Sequence, residues 1–390
     1  MSDVSRTSGA ETALRRALAQ AGITVDGDAP HDPHVHDRRF YRRVLRDGSL
    51  GLGESYVEGW WDAKSVDGFI ERILSGGLAR RVSRDARALA VALAARLLNL
   101  QRRARAARNV RSHYDRDLDL FRVMLGPGMV YSCGYWMEGG SLEAAQEAKL
   151  ELCCRKVGLS EGMRLLDIGC GWGSLAEYAA RKRGAEVVGI TLSPEQAEVA
   201  RERCRGLPVD IRVQDYREIR DRFDAVVSVG MFEHVGRRNH QAYMEAVGRC
   251  LAPGGLSLLH TIAGNEATSH IDPWIHRYIF PGAQLPTLAE IAGAAERRFL
   301  VEDVHNFGPH YDRTLMAWHH NVEAGWDALK VRYDERFRRA WRYYLLSCAA
   351  SFRARFTQLF QVVLARPGTR RAAQPAWDNR AGRLTRRSLA

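Results

Sequence analysis

From Ser141 onward the apolar and polar positions switch repeatedly between two periods. Helical spacing predicts helices near 143–157, over 174–183, from Ser193-Pro194, and over about 238–251, the last stopped by Pro253-Gly254-Gly255. Between them lie short apolar runs of the kind that form buried strands: 164–168, Glu186 to Thr191, near 211–213, Phe223 to Ser228, and Leu256 to His260. Two more strand candidates, near 299–305 and 314–319, are close enough to pair as a hairpin, and the chain beyond 322 reads helical. Strand-helix alternation closing in a hairpin predicts an α/β fold: a doubly wound, mostly parallel sheet with an antiparallel edge and extra C-terminal helices. In such sheets the active residues gather beyond the C-terminal ends of the strands.

The N-terminal third follows a different pattern. Residues 1–75 read as a small separate domain, with a polar, mobile leader to about 30, a helix over Glu11 to Ala21, and a glycine-rich segment from Gly48 to Glu54 ahead of Tyr56, Trp60 and Trp61. A basic helical linker is expected over 76–112, a catalytic domain over 113–365, and a disordered basic tail over 366–390. The net charge of +12 is uneven, since Arg80 to Arg111 carries ten arginines against the single acid Asp85. Such a patch attracts polyanions, either anionic lipid or nucleic acid. No base-reading motif is present, so no nucleic-acid partner is expected. The longest apolar stretch, 88–100, is interrupted by Arg96 and too short to cross a bilayer. Seven scattered cysteines without a C-x-x-C pair, and no export signal, point to the cytoplasm, with neither disulfides nor zinc. His31, His34 and His36 sit in an Asp/Pro-rich turn, where no metal site is expected.

The sharpest motif is Leu165-Leu166-Asp167-Ile168-Gly169-Cys170-Gly171-Trp172-Gly173, an apolar strand ending in an acid and three alternate glycines. A dinucleotide-binding turn would carry glycine where Ser174 stands. The acid and glycine spacing instead suits S-adenosylmethionine (SAM). Reading the remaining strand ends in order gives Thr191 with Gln196, then Gln214-Asp215-Tyr216, then Glu233-His234, then His260-Thr261-Ile262. Thr191 and Gln196, or a water, must replace the acid that usually holds the SAM ribose. Gln214 and Asp215 offer polar partners to adenine, and Tyr216 a flat face. Glu233 and His260 each follow an apolar run and should face the methyl donor, as an acid-base pair or as a cradle for a small anion. A buried glutamate satisfied by a neighbouring donor is the plain alternative.

Over about 30–365 the chain resembles the cyclopropane-fatty-acyl-phospholipid synthases. The resemblance rests on Tyr131-Ser132-Cys133-Gly134-Tyr135-Trp136, the glycine motif, Ser228 to Gly236, Leu259-His260-Thr261-Ile262, Asp272-Pro273-Trp274 with Tyr278 to Pro281, and Tyr311 to Trp318. It implies transfer of a methylene from SAM to the cis double bond of a phospholipid acyl chain, with bound bicarbonate as the proton acceptor. Cys133, Glu233, His260, Ile262 and Tyr311 match the bicarbonate-holding residues, and Tyr131 joins Asp167, Gly169, Gly171 and Gly173 around SAM. Tyr135, Trp136, Trp274, Phe280 and Tyr311 are candidates to stabilise positive charge through their faces. Such an enzyme is expected to sit peripherally on the inner face of the membrane, drawn to its anionic surface, with a homodimer left open. One departure lies at His113-Tyr114-Asp115-Arg116-Asp117-Leu118-Asp119, where the family pattern is similar to H-Y-D-x-G-N-D. Rival readings are methyl transfer without ring closure, N-methylation of a small amine, and a silent lipid-binding protein.

Overall fold

The computed structural model describes residues 8–78, 118–137, 139–267 and 271–370. The expected basic linker falls mostly outside these residues, as do positions 113–117 of the departure and all but the start of the expected tail, whereas Leu118 and Asp119 open the helix Leu118–Leu125. A seven-stranded sheet organises the chain beyond Ser141. Strands β1 (His34–Val35) and β2 (Trp61–Asp62) form a separate antiparallel pair in the N-terminal unit. The main sheet is built from β3 (Arg164–Ile168), β4 (Glu186–Thr191), β5 (Val209–Val213), β6 (Phe223–Val229), β7 (Leu251–Gly264), β8 (Leu300–Asn306) and β9 (Thr357–Ala365). Their spatial order is β5-β4-β3-β6-β7-β9-β8, with the first five parallel and β9 antiparallel to both its neighbours. The order reverses between β3 and β6, the crevice where ligands bind in doubly wound sheets. Helices Leu142–Lys156, Ser174–Arg183, Pro194–Arg203 and His240–Cys250 occupy the predicted places.

The structure corrects the closing hairpin. Residues 314–319 belong to the helix Gly308–Ala324, whose buried Thr314, Leu315, Trp318 and Val322 recur at helical spacing. The strand that pairs with β8 is β9, inserted between β7 and β8, whereas the sequence suggested a helix continuing to Phe360. That helix, Glu335–Arg353, ends earlier because Arg355 adopts φ 56°. Its amide bonds back to the Phe352 carbonyl at 3.1 Å, and the Phe356 amide to Ser351 at 2.9 Å, closing a Schellman turn without glycine.

The N-terminal unit is not a free-standing body. Its glycine-rich segment is helical, part of Arg39–Val57, which bends where Gly48 takes φ 57° and ψ −132°. Phe40, Tyr56, Trp61 and Phe69 share one continuous apolar core with Trp341, Leu345 and Ala349 of the C-terminal helix. Arg353 adds ion pairs to Asp67 at 2.7 Å and Asp312 at 2.8 Å, tying both parts together. No described helix is long and apolar enough to cross a membrane.

The two parts pack tightly at Gly53, where an added Cβ would lie 2.5 Å from Trp274 Cδ1 and 2.7 Å from Tyr343 Cε1. Gly53→Ala is therefore expected to overpack this seam and destabilise the protein by about 1–3 kcal/mol. Thermal unfolding should show a midpoint lowered by several degrees; an unchanged midpoint would mean that the seam yields freely.

Candidate active site

Past the C-terminal ends of β3 to β6 lies a cleft whose floor is the glycine turn. Gly169 has φ 83°, and a Cβ there would strike Met231 at 2.9 Å; Gly173 has φ 84° and lets the helix Ser174–Arg183 start against Ala200. Of the predicted cofactor residues, Tyr131, Asp167, Gly169, Gly171, Thr191, Gln196, Gln214, Asp215 and Tyr216 all line the cleft. Gly173 does not line it and acts only as the helix cap. Thr191 donates its hydroxyl to Gln196 Oε1 at 2.7 Å, so the pair forms a buried polar wall where an acid usually stands. Asp215 faces the cleft with a carboxylate already engaged by Arg217, whose Nε donates at 2.8 Å and whose amide donates at 2.9 Å. It is therefore a weaker adenine partner than the sequence suggested, and Gln214 and Tyr216 remain beside it.

Asp167 is 2% exposed, and its Oδ2 has no partner among the described residues. Burial lifts its carboxyl to about 7, while the nearby Lys149 cation pulls it back toward ionisation. Lys149 lines the same cleft, is itself 1% exposed, and donates to Ser132 Oγ at 3.0 Å. Nothing in the helical pattern of 142–156 marks that lysine as buried. An acid with a free oxygen, a lysine and a glycine floor fit a ligand that carries both an ammonium and a carboxylate, as the methionine end of SAM does.

Glu233, His260, Ile262, Cys133 and Tyr311 do not line this cleft; they lie alongside it. Glu233 sits in the 3₁₀ turn Phe232–His234 after β6 and is 6% exposed. Its Oε1 accepts the Ile262 backbone N–H at 2.7 Å, and its Oε2 has no partner among the described residues. The Ile262 amide is thus occupied by Glu233, whereas the sequence reading offered it to an anion. Burial raises the Glu233 carboxyl to about 7, with the Ile262 amide opposing. His260 stands two residues before Ile262 on β7, is 1% exposed, and leaves Nε2 without a partner. Burial pushes its pKa well below the ordinary imidazole value, reinforced by the Lys149 and Lys156 cations. Tyr311 stacks on Phe352 with ring centroids 4.7 Å apart, and burial holds its hydroxyl protonated, with Cys133, Tyr131 and Glu233 near enough to add to that effect. Cys133 is fully buried, bonded to the Gly134 carbonyl at 3.1 Å, and kept as a thiol by burial.

The aromatic candidates divide. The face of Trp136 is covered by the Arg313 guanidinium, 4.6 Å from the ring, and Tyr135 stacks on His310 at 4.9 Å. Trp274 packs on Tyr343 at the seam with the N-terminal unit. Tyr311 belongs to the polar cluster itself. Phe280 lies 6.1 Å from His234, which lines the cofactor cleft, and 5.9 Å from Tyr344. Tyr344, unmarked by any motif, bonds the cleft residue Tyr131 hydroxyl to hydroxyl at 2.8 Å.

Residues 101–362 match the family model described as mycolic acid cyclopropane synthetase. Over 349 residues the chain is 49% identical to the cyclopropane-fatty-acyl-phospholipid synthase of Escherichia coli strain K12, covering 90% of this chain and 91% of that protein. The chain belongs to this cyclopropane synthetase family. An alignment of that length does not fit within 101–390, so the E. coli synthase also shares part of the N-terminal unit. Among solved cyclopropane synthases, MmaA2 of Mycobacterium tuberculosis is similar with a TM-score of 0.64 at 31% identity, over 69% of this chain and 100% of that one. The mycolic acid cyclopropane synthase CmaA1 complexed with SAH and CTAB gives 0.62 at 32% identity, over 66% and 97%.

For this cyclopropane synthetase the buried glutamate makes a pH prediction. Its folded pKa of about 7 exceeds the unfolded value, so the folded state holds the extra proton and stability falls as pH rises from about 4.5 to 7. Glu233→Gln keeps the Ile262 bond and removes that loss. Urea unfolding without ligand should show the variant gaining on the native protein by on the order of 2–3 kcal/mol between pH 5 and pH 8. Parallel curves would refute the buried carboxyl.

Proposed function

We propose that this SAM-dependent methyltransferase converts the cis double bond of an unsaturated phospholipid acyl chain into a cyclopropane. Bicarbonate held between Glu233, His260 and Tyr311 is the proton acceptor in this reading. The observation that carries it is the pair of buried atoms Glu233 Oε2 and His260 Nε2, neither with a partner among the described residues. A small three-oxygen anion fits donors so placed.

SAM supplies an electrophilic methyl carbon on its sulfonium. Asp167, Lys149, Thr191 and Gln196 hold the cofactor in the cleft, and the Tyr131–Tyr344 bond borders the passage to the acyl chain. An alkene is a weak nucleophile, so Tyr311, Phe280, Tyr344 and Phe352 serve by excluding water and aligning the bond. The alkene π electrons form the new carbon–carbon bond as the carbon–sulfur bond breaks. Positive charge then appears on the lipid, where the Tyr311 and Phe280 faces stabilise it without forming a covalent bond. Loss of a proton from the transferred carbon closes the ring. When bound, bicarbonate would supply the base for that proton. Glu233, protonated in a substantial fraction near neutral pH, donates through Oε2 while Oε1 stays on the Ile262 amide. Tyr311 donates its hydroxyl. Cys133 is a buried thiol, and Ile262 acts through Glu233.

Incubation with SAM and unsaturated phospholipid vesicles should add one CH₂ to the lipid, seen by mass spectrometry, with upfield cyclopropyl protons by NMR. Bicarbonate depletion should slow the reaction. Glu233→Gln and His260→Ala should each lower kcat roughly 100-fold or more, with SAH affinity held within about threefold, a margin below 1 kcal/mol. A methyl-branched product would replace ring closure by simple methyl transfer.

The lipid substrate also requires access to a bilayer. The arginine-rich 80–111 segment gives the chain its basic excess, and we propose that it draws the protein to anionic membrane surfaces. Co-sedimentation with anionic vesicles should weaken as salt rises, and neutral vesicles should bind less. Salt-independent binding would remove this electrostatic contact.

A further inference from the structure

We infer that Gln361 is a positioning residue that fixes His260 as the tautomer protonated on Nε2. The two residues are direct cross-strand partners in the β7–β9 ladder, and both are buried, at 0% and 1% exposure. The Gln361 carboxamide nitrogen lies 3.3 Å from His260 Nδ1 and 3.4 Å from Cys153 Sγ. A carboxamide nitrogen carries two hydrogens and no lone pair to offer, so with the amide in this orientation, its oxygen buried without a partner among the described residues, both neighbours accept. An imidazole nitrogen that accepts holds no proton. In a neutral ring the single hydrogen then belongs to Nε2, the atom left without a protein partner.

The consequence, which rests on the anion reading above, is a division of labour. His260 donates to the anion and has no free lone pair facing it, so the proton lost from the lipid goes to the anion and not to His260. A ring flipped to the other tautomer would present a bare nitrogen and repel an anion's lone pairs.

Two variants separate this role from packing. Gln361→Glu places an acceptor opposite Nδ1 and should move the proton there; Gln361→Met fills a similar volume and donates nothing. In the ¹⁵N-histidine-labelled full chain, the His260 signal, assigned by its loss in His260→Asn, should show a bare Nδ1 in the native protein and a bare Nε2 in Gln361→Glu. The KM for bicarbonate should rise at least tenfold in Gln361→Glu and several-fold in Gln361→Met, with SAH affinity unchanged. A native His260 protonated on Nδ1 overturns the inference, as does Gln361→Met with native tautomer and native bicarbonate KM. If the tautomer is as stated but the native enzyme ignores bicarbonate, the anion reading fails and the tautomer assignment stands. Should Gln361→Glu not fold, the native spectrum and Gln361→Met still decide.

Discussion

The bond from the Ile262 amide to Glu233 is the contact on which the polar cluster depends. β6 ends at Val229, opposite His260, and the Gly230 amide makes the last bond back to the His260 carbonyl at 2.9 Å. β7 runs on to Gly264, paired on its other side by β9. Along a strand, residues two apart direct their backbone groups to the same edge, so the Ile262 N–H faces the side that β6 has vacated. A buried amide without an acceptor is costly, and Glu233, delivered by the turn after β6, supplies one. The unequal lengths of two parallel strands thus create the need that places a carboxyl group here.

Burial then sets the charge state of the site. Glu233, His260 and Asp167 are all driven toward their neutral forms by desolvation, with Lys149 opposing at Asp167. In the proposed reaction, neutral donors around a small anion would leave that anion as the main negative charge near the reacting carbon. A fully ionised glutamate would compete with it for the same space. In the proposed reaction, a cation forms on hydrocarbon and must lose one proton without being captured by a nucleophile. A protonated Glu233, a thiol at Cys133 and aromatic faces all satisfy that demand.

The sequence made the parallel half of the sheet legible because each strand there is a short apolar run closed by a polar or glycine-bearing turn, with a well-formed helix between. The glycine motif, Thr191, Gln196 and Gln214 to Tyr216 could be placed from strand ends alone. The second half was less readable. Residues 314–319 and 357–365 are both short apolar stretches, and a run of that length does not distinguish a strand from a buried helix. The helix before β9 closes on Arg355 without the glycine that would announce its end. Lys149 was invisible because a lysine in a helix normally marks the solvent face. The N-terminal unit looked separate because its core partners, Trp341 and Leu345, lie almost 300 residues away in sequence.

His260 and Gln361 show why part of the site cannot be read before the topology is known. Gln361 is one polar residue in an apolar stretch, and it acquires meaning only when β9 lies antiparallel to β7 with these two residues opposed. A slip of one residue would set Phe360 or Val362 there and turn Gln361 to the other face. The register is pinned at the start of β9, where Asn265 donates to the carbonyls of Arg355 and Phe356 at 2.9 and 3.2 Å, and Gln358 donates to Arg355 at 2.8 Å. Arg355 holds the left-handed conformation that ends the preceding helix, so the same residue both stops that helix and fixes where the strand begins. The chemistry proposed for His260 therefore depends on a strained turn six residues before its partner, on a segment whose own sequence carries no catalytic signature.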